Sequence, residues 1–172
     1  MAPPQRTVTF QGNPLILAGT PVAVGAVAPA FTVLATDLSP ITQDVLKGKT
    51  SVIITVPSLD TPVCDIETRR FNKEATALGA QVQVLCISAD LPFAQSRWCG
   101  AADVKNVRAL SDHRDLSFGM AYGVVLKDLR LLTRAVFIID AGGIARYIEL
   151  VPEITKEPDY DAALAATKGI TQ

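Results

Sequence analysis

Hydrophobic and polar positions change rhythm along the chain in a way that marks out its elements. Thr7-Val8-Thr9-Phe10-Gln11 alternates, Gly12-Asn13-Pro14 interrupts, and Leu15-Ile16-Leu17 resumes, which predicts an N-terminal β-hairpin over 7–18. After a Gly/Pro/Ala-rich stretch to Pro29, Phe31–Ala35 reads as a strand, and Thr42–Lys47 fits a short helical turn closed by Gly48. Ser51–Val56 is β-branched and apolar on both faces, the pattern of a central buried strand. The period turns helical from Thr61 to Leu78, with Gly79 as a stop signal. Gln81–Ser88 is the next strand, and Pro92–Trp98 a second helix ending near Gly100. Ala135–Asp140 is another buried strand, which Gly142-Gly143 turns into a partner over Ile144–Val151. Tyr160–Lys168, with Gly169 beyond it, closes the pattern as a helix.

This order of elements predicts an α/β fold, a mixed central sheet with helices on both faces. With 172 residues and no internal repeat, the chain reads as a single domain over 1–172. A hydrophobic share of 49% is ample for a buried core. The 16 basic and 17 acidic residues leave a net charge of -1, which argues against nucleic acid or an anionic membrane surface as the partner. No apolar run approaches the roughly 20 residues of a membrane span. Met1–Arg6 lacks the charged-then-apolar pattern of a secretory signal, so a cytoplasmic address is expected.

Cys64, Cys86 and Cys99 are the only cysteines. Three is odd and too few for a disulfide framework, so their chemistry, if any, is redox turnover or nucleophilic attack. Cys64 stands out by position. Thr61 is a good N-cap, Pro62 suits the first helical position, and Cys64 follows as the third. Backbone N–H groups without helical partners and the positive end of the helix dipole stabilise an anion there, and the thiolate is the reactive form of cysteine. Asp65 and Glu67 lie in the same first turn and repel that anion, so a cation from elsewhere is needed. Read locally, Cys64 could equally be a small apolar residue at a helix start.

Pro57-Ser58-Leu59-Asp60-Thr61-Pro62-Val63-Cys64, a Pro-x-x-x-Thr-x-x-Cys frame, resembles the peroxidatic motif of the peroxiredoxins. Phe71-Asn72, the run Cys86–Gly100, Leu132–Asp140 and Glu153–Tyr160 resemble the thiol peroxidase branch, and the likeness extends from Val8 to about Lys168. The resemblance implies a thioredoxin-like fold with an added N-terminal hairpin. It also implies a thiol peroxidase that needs no cofactor and reduces hydrogen peroxide and alkyl or lipid hydroperoxides. By the same resemblance Cys64 is the peroxidatic cysteine, Thr61 its hydroxyl partner, Arg134 the activating arginine, Pro57 the shielding proline and Cys99 the resolving cysteine. An intramolecular Cys64–Cys99 disulfide, recycling by thioredoxin and a homodimer are further implications. Both cysteines fall in helical segments, so a bridge requires one or both of them to unwind.

The remaining signals are bland. Cys86 lies in an apolar strand and reads as a buried, inert thiol. His113 is the only histidine, and Ser111-Asp112-His113-Arg114-Asp115 reads as a polar surface turn, which leaves a Cys-His hydrolase with little support. No Cys-x-x-Cys pair is present, and the cysteines lack metal-ligand spacing. Trp98 reads as a packing residue beside Cys99. A redox sensor using the same two cysteines without sustained turnover is the competing class.

Overall fold

Three buried parallel strands, β5 (Thr50–Thr55), β6 (Val82–Ser88) and β7 (Val107–Ser111), form the middle of the computed structural model, which describes residues 4–171. Antiparallel strands complete a seven-stranded sheet on either side, in the order β11-β10-β5-β6-β7-β3-β4. These outer strands are β3 (Thr32–Leu34), β4 (Pro40–Thr42), β10 (Ala135–Ile139) and β11 (Ala145–Leu150). The N-terminal hairpin, β1 (Thr7–Phe10) and β2 (Asn13–Ala18), joins β8 (Val125–Leu126) and β9 (Leu131–Leu132) in a second, four-stranded sheet. Its turn needs positive φ at Gln11 and Gly12, 50° and 82°, as tight hairpin turns do. Met1–Pro3, the start of the segment read for a leader, lie outside the described residues.

Because every residue of β5 is buried, its side chains feed two cores alternately. Ile53, Leu85, Ile87 and Phe137 pack on one face against Phe118 and Tyr122, whose rings stack with centroids 4.0 Å apart. Those two aromatics belong to α3 (Ser117–Tyr122). Val52, Ile54, Cys86, Val136 and Ile138 pack on the other face. There they meet α1 (Pro62–Leu78) through Cys64 and Phe71, and α4 (Tyr160–Thr171) through Tyr160 and Ala163. Helix α2 (Pro92–Ala102) adds Trp98, Cys99 and Ala102 to this second core. The fold is thus α/β and thioredoxin-like, with the N-terminal hairpin added at one end.

Two expectations need correction. The second helix does not end near Gly100; it continues to Ala102 and stops at Asp103, which adopts a left-handed φ of 52°. A mid-helix glycine costs about 1 kcal/mol, which the packing of the flanking side chains outweighs here. Nor is 111–115 simply a polar surface turn. Ser111 and Asp112 are buried, and the Asp112 carboxylate accepts the amides of Phe118 (3.0 Å) and Gly119 (2.8 Å) at the start of α3. Burial raises its pKa to about 6 against those donors.

Gly119 is tightly packed. A Cβ built on it would lie 2.5 Å from Leu132 Cδ2 and 2.6 Å from Val125 Cγ2. Gly119→Ala should therefore lower stability by about 1–3 kcal/mol despite alanine's better helix propensity. Urea unfolding measures it, and an unchanged or raised midpoint would contradict this account of the packing.

Candidate active site

Residues 64 and 134 meet because of strand register. β10 runs antiparallel to β5 with Ala135 opposite Thr55, so Arg134 arrives beside the chain that leaves β5 through Val56 and Pro57. Thr55 Oγ1 donates to Thr133 O at 2.8 Å and fastens the two segments just before the site. The loop from Pro57 to Thr61 is then moulded by Asp90, at the end of β6. Its carboxylate accepts Ser58 Oγ at 2.7 Å, the Leu59 amide at 2.8 Å and Ser88 Oγ at 2.7 Å. This loop delivers Thr61 to the N-cap of α1 and Pro62 to its first turn. The Thr61 hydroxyl makes no capping bond; it donates instead to Ser58 O at 3.0 Å. The first helical bond runs from the Asp65 amide to Thr61 O, 3.0 Å, so the Val63 and Cys64 amides fall in the turn that has no acceptor within the helix.

Cys64 is fully buried with its thiol free. Arg134 Nη2 lies 3.3 Å from its sulfur. Few arginines are so enclosed: Arg134 is 2% exposed, and its Nε and Nη2 donate to Ile154 O at 3.1 and 2.9 Å. Its Nη1 pairs closely with Glu67 Oε2. A buried guanidinium without a counter-ion is costly, and Glu67, also buried, supplies that counter-charge.

The acidic residues beside Cys64 thus act differently from a simple repulsive pair. Glu67 holds the cation that faces the sulfur. Its own carboxyl is pushed up to about 7 by burial, with Arg134 pulling it back, and its Oε1 has no hydrogen-bond partner. Asp65 turns away toward α2, where its carboxylate accepts Arg69 Nε (2.9 Å) and Trp98 Nε1 (2.8 Å).

Thr61, Pro57 and Arg134 share the wall of one cavity of about 390 Å³. The rest of the wall is mainly apolar, with Phe10, Val63, Leu126, Leu129, Leu131 and Ile154. Four of the five expected site residues are therefore brought together. Cys99 is not: it lines a separate cavity of about 340 Å³ with Ser96, Val104 and Ala109, half-buried and with its thiol pKa raised by burial. Cys86 is buried beside Thr68 Oγ1, 3.7 Å away, and burial drives its thiol well up. Such a thiol is inert at neutral pH. The positioning roles of Glu67 and Asp90 were not legible in the sequence: Glu67 reads there as a charge that repels a Cys64 anion until its partner Arg134 is seen, and Asp90 meets the 57–61 loop only in the fold.

A thioredoxin-like sheet that sets a free cysteine at a helix mouth against a guanidinium is suited to thiol-based redox chemistry. The Redoxin family model matches residues 23–164. The chain is 56% identical to a thiol peroxidase of Halalkalibacterium halodurans over 94% of its length and 97% of that protein's. It is 51% identical to the thiol peroxidase of Bacillus subtilis over 96% and 98%. A crystal structure of a peroxiredoxin-like protein from Aquifex aeolicus superposes with a TM-score of 0.90 at 44% identity, covering 96% of this chain and 97% of that one. The chain belongs to the Redoxin family, in the thiol peroxidase branch of the peroxiredoxins.

The ion pair generates a prediction. Glu67 has a folded pKa above its ordinary value of 4.5, so the stability tied to its proton is complete below about pH 4.5 and is lost as pH rises through about 7. Glu67→Gln should remove that slope and lower the urea midpoint, because the guanidinium loses its counter-charge, while the amide oxygen still offers Nη1 an acceptor. Cys64 oxidation should therefore slow by less than about tenfold, whereas Glu67→Ala should slow it by more. Urea midpoints against pH and stopped-flow peroxide oxidation provide the check.

Proposed function

We propose that this thiol-dependent peroxidase reduces hydroperoxides at Cys64, the 1–172 chain working as one thioredoxin-like domain. The observation that carries the reading is the Arg134 guanidinium 3.3 Å from a buried, free sulfur at a helix N-terminus. Cys64 thiolate attacks one peroxide oxygen, the O–O bond breaks, and the departing oxygen leaves with a proton as water or alcohol. Arg134 stabilises the anionic sulfur first and the departing oxyanion next. Thr61 offers a hydroxyl that can donate to a peroxide oxygen, and Pro57 closes the wall beside it. The apolar cavity lining supports alkyl or lipid hydroperoxides as substrates beside hydrogen peroxide.

The product is a Cys64 sulfenic acid, which condenses with the Cys99 thiol to a disulfide and releases water. Trp98 faces α1 while Cys99, one residue on and about 100° round the helix, lines another cavity. That arrangement supports a turn of α2 unwinding before the bridge can form. A dithiol such as thioredoxin then attacks the disulfide and restores both thiols. A cytoplasmic setting, where thiols are kept reduced, and a homodimer belong to the same reading. Exposed Leu91 and Phe93 at the start of α2 are apolar surface of the kind a subunit contact covers. Among the described residues no helix is long and apolar enough to cross a membrane.

Cys64→Ser should abolish peroxide consumption with thioredoxin, its reductase and NADPH. Cys99→Ser should allow a single oxidation of Cys64 and then stall. Peptide mapping after one equivalent of peroxide should find the Cys64–Cys99 bridge in the unaltered chain. Normal turnover by Cys64→Ser would overturn the assignment, and oxidation that never cycles in the unaltered chain would mark a sensor instead.

A further inference from the structure

The segment that carries Cys99 is anchored at both ends, and between the anchors it is held by side chains of α1. At one end Gln95 is fully buried, its Nε2 donating to Ser88 Oγ at 3.0 Å and to Leu110 O at 2.9 Å. At the other, Asn72 of α1 accepts the amides of Lys105 (3.0 Å) and Asn106 (2.7 Å) through one side-chain oxygen. Between these anchors lies a turn that is weak by sequence: Gly100 sits inside the helix, and Asp103 ends it in a left-handed conformation.

Side chains from α1 reach across to this turn. Trp98 Nε1 donates to Asp65 Oδ1 at 2.8 Å, and Arg69 Nε donates to both oxygens of the same carboxylate, at 3.0 and 2.9 Å. The Arg69 guanidinium also lies 5.8 Å from the Trp98 ring centroid, and its Nη1 donates to Ala102 O at 3.2 Å. A further polar tie, Arg97 to Asp60, is 3.8 Å long between largely exposed side chains. Asp65 follows Cys64 directly, and Trp98 precedes Cys99 directly. The contact therefore joins the neighbours of the two sulfurs without joining the sulfurs.

We propose that Asp65, Arg69 and Trp98 form a latch that holds α2 wound against α1 and sets how fast Cys99 reaches oxidised Cys64. The inference rests on the reading of Cys99 as the resolving thiol. A Cys64 sulfenic acid has two fates. Condensation with Cys99 forms an S–S bond and releases water; attack on a second hydroperoxide forms sulfinic acid and releases water or alcohol. A closed latch keeps Cys99 away and leaves time for the second fate. An open one favours the disulfide. The three side chains thus act as positioning residues that divide the enzyme between continued turnover and inactivation by excess peroxide.

Trp98→Phe keeps the ring and removes the indole donor; Asp65→Asn keeps the size and removes the charge. In each full-length variant, reduced and mixed with hydrogen peroxide, rapid alkylation and mass spectrometry follow Cys64 sulfenic acid, disulfide and sulfinic acid. Both variants should form the disulfide about tenfold faster and accumulate correspondingly less sulfinic acid at high peroxide. The first oxidation of Cys64 should stay within about twofold in Trp98→Phe, a separation that general loosening of the fold would not give. If one variant fails to fold, the other decides. A bridge that forms at the unaltered rate in the folded variants overturns the latch alone. Absence of any Cys64–Cys99 bridge in the unaltered chain overturns the parent reading and the latch with it.

Discussion

A guanidinium taken out of water must be surrounded by acceptors, and that requirement organises this protein around Arg134. Its donors are divided among a main-chain carbonyl, Ile154 O, a carboxylate, Glu67, and one sulfur, Cys64. Charge buried this way is strong toward anything anionic nearby because little water screens it. The carbonyl and the carboxylate fix the orientation of the side chain, so little reorganisation is left for the moment at which negative charge appears on sulfur or oxygen.

The fold exists, in this light, to bring three distant stretches together. The parallel strands β5, β6 and β7 provide a rigid floor, and their buried alternation supplies the two cores. The antiparallel return of β10 carries Arg134 to the end of β5, while Asp90 at the end of β6 shapes the loop into α1. The hairpin sheet contributes Phe10, Leu126 and Leu131 to the cavity wall, so a feature peripheral to the central sheet lines the cavity that Pro57, Thr61 and Arg134 share.

Much of the fold is legible in the sequence. Strands such as 51–56 and 135–140 are apolar on both faces and have few alternatives, and Thr61-Pro62 announces a helix start. The place of Cys64 in that first turn is read from the local pattern, which leaves a reactive and an inert thiol equally open, and Thr61, Arg134 and Pro57 are singled out only by the resemblance. What stayed hidden depends on long-range pairing. Short strands such as β8 and β9 have no period to detect. The length of α2 past Gly100 is decided by its packing on the core beside β7 rather than by propensity. Asp65 and Glu67 look equivalent in sequence, yet one turns outward to Arg69 and Trp98 and the other inward to Arg134. Only tertiary structure separates a repelling charge from a supporting one.

The central claim is that Arg134 drives the first oxidation of Cys64. The direct measurement is the second-order rate constant of Cys64 oxidation by peroxide in the Glu67→Gln chain, with and without Arg134→Gln, so that no lone buried carboxylate is left behind. The account predicts a fall of at least about a hundredfold when the guanidinium is removed from a protein that remains folded. A rate constant unchanged within error would contradict it.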